Sequence, residues 1–255
     1  MSETDIGARL ADIVEEAGRL ILPLWRSGLA VTTKSDSSPV TEADQRAETL
    51  ILARLADAFP DIPVISEEDA SEFGTPDRIG PRFFLVDPLD GTKAFVRDDP
   101  NFTVNIGLIE NGRPVAGAVT APATGEVWFT DGGGAYKRGA GETAASAIRV
   151  RAVDAEPLAL ISHTMKPEAL EALRADYGFT RTQAMDSSIK LCRIAEGAAD
   201  IYPRHGPTME WDIAAGQAVL QAAGGSVLTP EGEAFSYGKA EKGFRNGWFV
   251  ARGAA

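Results

Sequence analysis

Phe83-Phe84-Leu85-Val86-Asp87-Pro88-Leu89-Asp90-Gly91-Thr92-Lys93 joins an apolar run to two carboxylates, a glycine and a hydroxyl. Four consecutive apolar residues read as a buried strand, so both acids stand where a strand ends and hydration is poor. Carboxylates in such a place repel each other and persist together only when a cation or a basic partner neutralises them. Oxygen-only donors suit a hard divalent ion, Mg²⁺ well ahead of zinc or copper; Pro88 stiffens the turn and leaves the Leu89 carbonyl available. Taken alone, the same residues also make a common Asp-Pro and Asp-Gly turn after a strand.

With 255 residues the chain can form one large domain or two compact halves. Acids outnumber bases 37 to 25, for a net charge of -12. That balance argues against a protein that coats nucleic acid or anionic membrane, since both need a positive field. Cys192 is the sole cysteine, so no intrachain disulfide exists, and with only His163 and His205 beside it a zinc site of the usual kind is not expected. Met1 to Asp5 lacks the basic start and apolar core of a secretory signal. No run approaches the roughly 18–20 apolar residues of a spanning helix. The expectation is a cytoplasmic protein without a transmembrane segment, a location compatible with peripheral association with an inner membrane.

Working outward, Ile6, Leu10, Ile13, Val14, Ala17, Leu20, Ile21 and Leu24 recur at helical spacing, with Ser2 or Thr4 as a cap. A second helix follows Thr41-Glu42-Ala43-Asp44 and ends before Pro60; the polar segment Lys34 to Pro39 between them is suited to a lid. Strands are expected at Pro63–Ile65, Phe83–Val86, Thr103–Ile109, Val115–Thr120 and Glu126–Phe129. Asn111-Gly112 signals a hairpin, and Gly132-Gly133-Gly134 a turn rather than a phosphate loop. This first half reads as two helices against an antiparallel sheet.

Beyond it the rhythm changes. Strands at Leu158–Ile161, Asp200–Tyr202, Val227–Leu228 and Trp248–Val250 alternate with helices at Pro167–Ala175, Ser188–Glu196 and Trp211–Ala223. That alternation marks an α/β half. The expected division is an N-terminal α+β half over 1–145 that carries the acidic motifs, and a C-terminal α/β half over 146–255 that completes the site.

Four further clusters carry chemistry, each with a plainer reading beside it. Ser38-Pro39-Val40-Thr41-Glu42-Ala43-Asp44 puts an acid near a helix start, where the helix dipole alone would favour it. Ser66-Glu67-Glu68-Asp69 follows a strand and by itself is most simply a solvated turn. Glu210-Trp211-Asp212 heads an apolar helix, as a capping acid does. Ser187-Ser188-Ile189-Lys190 and Tyr202-Pro203-Arg204 bring a helix start and two cations that could face an anion, or else a solvated lysine and a surface arginine.

Taken together, a Glu-Glu pair, then Asp-Pro-Leu-Asp-Gly-Thr, then Trp-Asp near the C-terminus resemble the Mg²⁺-dependent, lithium-sensitive inositol monophosphatase superfamily. Lys93-Ala94-Phe95, Phe102-Thr103-Val104-Asn105-Ile106, Ser187-Ser188-Ile189-Lys190 and Tyr202-Pro203-Arg204-His205-Gly206-Pro207-Thr208 look like its CysQ-type 3'(2'),5'-bisphosphate nucleotidases. The likeness spans about residues 36 to 225. Two departures fall in the nucleoside region: Asp186 stands where that group commonly has Gly, and Ser162-His163-Thr164 places its histidine differently.

The resemblance implies an α/β fold of αβαβα layers, the active site lying between two halves. It implies two or three Mg²⁺ ions held by Glu67, Asp87, the Leu89 carbonyl, Asp90 and Asp212. Thr92, bonded to Asp44, would help deprotonate the attacking water, and Glu68 would support a water or a more weakly held third ion. Gly91 and Thr92 would receive phosphate oxygens, with Ser188, Lys190, Tyr202 and Arg204 lining the substrate site. The implied reaction is hydrolysis of the 3'-phosphate of adenosine 3',5'-bisphosphate (PAP) to AMP, extending to 3'-phosphoadenylyl sulfate, on the route of sulfur assimilation. The partner is a small phosphorylated nucleotide, not nucleic acid, and the protein is a monomer or homodimer. Alternatives are a phosphatase of the same superfamily acting on inositol phosphate, histidinol phosphate or a sugar bisphosphate, and a catalytically silent metal or nucleotide sensor.

Overall fold

The computed structural model describes residues 6–28, 31–33 and 39–254. The expected caps Ser2 and Thr4 and the lid residues Lys34 to Ser38 lie outside the described residues. Helix α1 (Ile6–Ile21) leads through a turn at Leu22–Leu24 to the short antiparallel pair β1 (Val31–Thr33) and β2 (Pro39–Thr41), then α2 (Glu42–Ala58). A seven-stranded sheet follows in chain order: β3 (Val64–Ser66), β4 (Arg82–Asp90), β5 (Thr103–Glu110), β6 (Arg113–Ala121), β7 (Glu126–Asp131), β8 (Gly134–Arg138) and β9 (Ser146–Ile148). Helices α3 (Glu67–Phe73) and α4 (Thr92–Val96) sit at the C-terminal ends of β3 and β4.

The remaining chain forms β10 (Leu158–Ile161), α5 (Pro167–Tyr177), β11 (Arg181–Ala184), α6 (Ile189–Ala195), β12 (Ile201–Arg204), β13 (Thr208–Met209), α7 (Glu210–Ala222), β14 (Ser226–Leu228), β15 (Arg245–Asn246) and β16 (Phe249–Arg252). Its main sheet runs β11-β10-β12-β16-β14.

Strand β4 shows why the layers stack. It is buried on both faces, so its alternate residues enter different cores. Phe84 and Val86 pack with α1 and α2, whereas Phe83 and Leu85 pack with α6, α7 and the inner face of the second sheet. A third core of Leu173, Ile161, Ile201 and Val250 lies between that sheet and α5. The order is therefore α1/α2, first sheet, α6/α7, second sheet, α5, a five-layered αβαβα sandwich. On α1, each fully buried Leu10, Val14 and Ile21 contributes about 1.5–3 kcal/mol through burial.

Asn111 and Gly112 both take positive φ, 50° and 75°, and close the β5–β6 hairpin. Gly132-Gly133 likewise turns β7 into β8. The first sheet departs from the antiparallel expectation at one place: β3 pairs parallel with β4. That direction puts Ser66, and the Glu67 that follows it, at the same sheet end as Asp87 and Asp90. Two helices alone do not cover the first sheet either, because α7, from beyond residue 145, covers its other face. Among the described residues no helix is long and apolar enough to cross a membrane.

Candidate active site

Acidic residues of three separate elements, α3, β4 and α7, line one cleft of about 460 Å³. The β4 pair owes its placement to a bulge. Asp87 lies opposite Asn105 and Asp90 opposite Thr103, so Pro88 and Leu89 together face Val104 alone. Residues three apart on a regular strand point to opposite faces, and the extra residue turns Asp90 back toward the side of Asp87. Pro88 has no N–H to lose where pairing breaks, and the Leu89 N–H donates to Asp87 Oδ1 at 3.1 Å. Gly91, at φ 90°, then swings the chain into α4; a Cβ there would strike the Asn101 carbonyl oxygen at 3.0 Å.

Glu67 enters from the first turn of α3. That helix end is fixed by buried Glu48, whose Oε1 accepts the N–H groups of Glu68 at 3.0 Å and Asp69 at 3.3 Å. Asp212 enters from the first turn of α7, with one carboxylate oxygen accepting the Met209 N–H at 2.8 Å. The helix itself is pressed onto the first sheet, for a Cβ on Gly117 would lie 2.6 Å from the Ala215 carbonyl oxygen. Its neighbour Glu210 is structural, buried and paired with Lys239 Nζ at 2.8 Å.

Asp44 and Thr92 meet as well. Thr92 Oγ1 is 3.1 Å from Asp44 Oδ1 and 3.1 Å from the Leu89 carbonyl oxygen. The other oxygen of Asp44 accepts both the N–H and the hydroxyl of Thr41, each at 2.7 Å, and so anchors the start of α2. Burial raises the Asp44 pKa, and the Thr41 bonds oppose that rise.

Electrostatics sets this cluster apart. Burial first, then repulsion from Glu67, Asp90 and Asp212, pushes Asp87 far above the usual carboxylate range. Burial, then Asp90 and Glu67, does the same to Asp212. Asp90 is raised by burial to about 6, with Lys190 and the Ser188 N–H holding it back. Among the described residues, no countercharge offsets burial and repulsion at Asp87 and Asp212. A donor set of carboxylates and the Leu89 carbonyl fits one or more hard divalent cations.

The cleft is also lined by Lys93, Arg97, Lys190 and Arg204. Lys190 is buried; its Nζ donates to the carbonyls of Ser187 at 2.6 Å and Met185 at 3.2 Å, and lies 4.9 Å from the Tyr202 ring centroid. Burial lowers it to about 8, against the pull of Asp90 and Asp186. Burial also raises the Tyr202 phenol. Arg204 donates to the Pro207 carbonyl at 3.2 Å. Ser188 ties the two halves together: its N–H donates to Asp90, and its hydroxyl meets Asn105 Oδ1 at 2.6 Å and Thr103 Oγ1 at 2.9 Å.

All the residues expected at the site except Glu68 and Asp44 line the cleft, and Asp44 reaches it through Thr92. Sequence reasoning gave no role to Glu48, Thr103 or Asn105, although polar residues inside an apolar strand were a usable signal for the last two. It also missed the group at the cleft mouth. Asp99, His163 and Asp186 bring ligand atoms within 4.8 Å of one another. Asp186 is already bonded to Arg97, and Asp99 Oδ1 accepts from Asn101 N and Nδ2 at 2.9 and 2.6 Å. Buried Cys192 and the His205 ring, stacked on Trp248 at 4.5 Å, take no part in the cleft.

The αβαβα layering and acid-lined cleft between its two sheets define the inositol monophosphatase-like architecture. The profile of the Inositol monophosphatase family matches residues 5–249, and the chain belongs to that family. It is 39% identical over 245 residues to the 3'(2'),5'-bisphosphate nucleotidase CysQ of Salmonella typhimurium, covering 95% of this chain and 98% of that one. The CysQ protein of Buchnera aphidicola is 37% identical over 247 residues, 95% and 92% of the two chains. Among solved structures, CysQ from Bacteroides thetaiotaomicron superposes with a TM-score of 0.79 at 31% identity, covering 99% and 98%. A Thermotoga maritima IMPase gives 0.77 at 25% identity, covering 95% and 89%.

Proposed function

We propose that this protein is a Mg²⁺-dependent 3'(2'),5'-bisphosphate nucleotidase that hydrolyses the 3'-phosphate of adenosine 3',5'-bisphosphate, giving AMP and phosphate. The observation that carries the reading is one cleft lined by both kinds of charge: Glu67, Asp87, Asp90 and Asp212 together with Lys93, Arg97, Lys190 and Arg204. Four cations beside a set of acids suited to metal match a substrate with two phosphates better than one with a single phosphate. The near full-length similarity to CysQ proteins supports the same choice.

Glu67, Asp87, the Leu89 carbonyl, Asp90 and Asp212 would hold the Mg²⁺ ions, with Glu68 outside the cleft lining as a supporting group. The chemistry Mg²⁺ supplies when bound is a more acidic water and charge neutralisation on the phosphoryl and leaving oxygens. The chain's own part is positional. Thr92 Oγ1 donates to Asp44 Oδ1 and can accept a proton from a water at the same time, so the pair draws that proton inward. The absence of a side chain at Gly91 lets a phosphate approach the backbone closely. Ser188 fixes Asp90 against β5 and joins the two halves at the cleft.

The division into 1–145 and 146–255 is part of this reading, with the ligands from both sides meeting in the cleft. A single buried thiol suits a reducing cytoplasm. Phosphate release from adenosine 3',5'-bisphosphate in Mg²⁺, compared with inositol 1-phosphate, is the test. A preference for the bisphosphate is expected; a preference for the inositol ester overturns the substrate assignment.

A further inference from the structure

We propose that Glu48 is a positioning residue for the metal: from α2 it holds the turn that carries Glu67, and thereby sets how tightly Mg²⁺ binds. The proposal rests on the Mg²⁺ sites of the reading above. Glu48 is only 7% exposed, and its Oε1 accepts the N–H groups of Glu68 at 3.0 Å and Asp69 at 3.3 Å, the two residues that follow Glu67 in the first turn of α3. Asp44 lies one helical turn earlier on α2, is buried like Glu48, and bonds Thr92. Residues four apart share a helix face, so one face of α2 carries two acids with separate tasks. Asp44 serves the proton path, and Glu48 serves the metal ligand.

Three features make α3 depend on this hold. Its 7 residues are too few for a helix to persist unaided. None of them is buried, and Phe73 at the far end is 75% exposed, so packing does little to fix the helix. Ser66 stands at the N-cap, but its side chain makes no capping bond; the first-turn N–H groups that a cap ordinarily satisfies go instead to a side chain from another helix. That side chain is a buried carboxylate set beside a turn of three further acids, Glu67, Glu68 and Asp69. A neutral acceptor would close the turn without the cost of burying a charge. The carboxylate adds charge assistance to the bonds it accepts, and with it a stiffer turn. Stiffness matters because a metal ligand works only when its supporting groups hold it within about 0.5 Å of the productive geometry.

The test titrates Mg²⁺ calorimetrically into chelator-stripped wild type, Glu48→Ala, Glu48→Asp and Glu48→Gln, and follows the Mg²⁺ dependence of phosphate release from adenosine 3',5'-bisphosphate in each. Glu48→Ala is expected to weaken Mg²⁺ binding by about 10–100-fold, the scale of losing a group that orients a metal ligand. The half-saturating Mg²⁺ concentration should rise in step, while kcat at saturating Mg²⁺ holds. Glu48→Asp keeps the charge but withdraws the acceptor by one methylene, and is expected to weaken binding as well. Glu48→Gln keeps an acceptor oxygen at the same reach and is expected to recover most of the affinity. A lower melting temperature with unchanged Mg²⁺ affinity marks a merely structural residue and overturns the proposal, as does a loss confined to kcat. If Glu48→Ala does not fold, unchanged affinity in Glu48→Asp overturns it equally. Absence of Mg²⁺ binding by the wild type strikes the functional reading itself, a result separate from any difference between wild type and variants.

Discussion

Glu126 and Glu196 face Lys137 and Arg193 around the Trp128 ring, with ion pairs of 2.6 to 2.8 Å linking each acid to both bases. Asp87 and Asp212 face chiefly other carboxylates, Glu67 and Asp90 among them. Both clusters are poor in water, yet they respond in opposite ways. At Glu126 burial works against ionisation, but hydrogen bonds from Arg193, Lys137 and Thr124 outweigh it and hold the carboxyl at about 2. At Asp87 and Asp212 burial and repulsion add, and both are driven up. Burial therefore does not decide what an acidic cluster is for; the presence of countercharge does. The Glu126 group is closed and holds β7, β8 and α6 together, while the β4 group stores an electrostatic deficit that a cation relieves.

The largest break in this contrast is expected from Asp90→Asn. Even the groups that only support metal ligands cost about 10–100-fold when removed, so loss of a ligand should lower kcat/KM by more than that in steady-state assays. The same substitution should raise the melting temperature of chelator-treated protein, because it removes one of the mutually repelling charges. Lost activity without that gain would place the repulsion elsewhere.

Thr92→Val comes next. Positioned proton transfer contributes about 10²–10⁴-fold, and kcat should fall within that range while Mg²⁺ still raises the melting temperature. An unchanged kcat would remove Thr92 and Asp44 from the proton path.

The closed cluster should behave in reverse. Glu126→Gln leaves Arg193 and Lys137 sharing Glu196, and a loss of about 2 kcal/mol is expected from breaking part of a half-buried pair network. Denaturant unfolding reads that loss, and kcat at 25 °C should stay within about twofold, since losing about 2 kcal/mol from the roughly 5–15 kcal/mol of a typical domain leaves the chain folded.

Acid is the gentlest probe. The folded Glu126 pKa is depressed to about 2, so between that value and the unfolded carboxylate pKa the unfolded chain binds more protons. Stability from this group is complete above the unfolded pKa and is lost as pH falls toward 2. Asp90 runs the other way: its folded pKa is raised to about 6, so metal-free protein loses stability as pH rises toward and past 6. Unfolding free energies of Glu126→Gln and wild type, measured with chelator from pH 6 to pH 2.5, should converge at the acid end.

Much of this was legible in the chain because its signals are local. The Phe83–Val86 run and Trp211-Asp212 give a strand and a helix start within a few residues each, whereas Asp-Pro-Leu-Asp-Gly, expected as a turn, carries β4 on to Asp90 through a bulge. The parallel pairing of β3 with β4 was not legible, since strand direction depends on where α3 and the following loop return the chain. Nor was the seating of α7 on the first sheet, which depends on Gly107 and Gly117 a hundred residues upstream leaving room for Ala214 and Ala215. The Arg97–Asp186 pair was invisible for the same reason: two charges at ordinary surface positions meet only when the fold closes 89 residues between them.

Titration calorimetry of Mg²⁺ into chelator-stripped protein, repeated in buffers of different ionisation enthalpy, tests the central claim most directly. If buried acids hold protons for want of countercharge, Mg²⁺ binding must release protons and tighten as pH rises. Binding without proton release and without pH dependence, or equal binding after Asp87 and Asp212 are both changed to Asn, would contradict it.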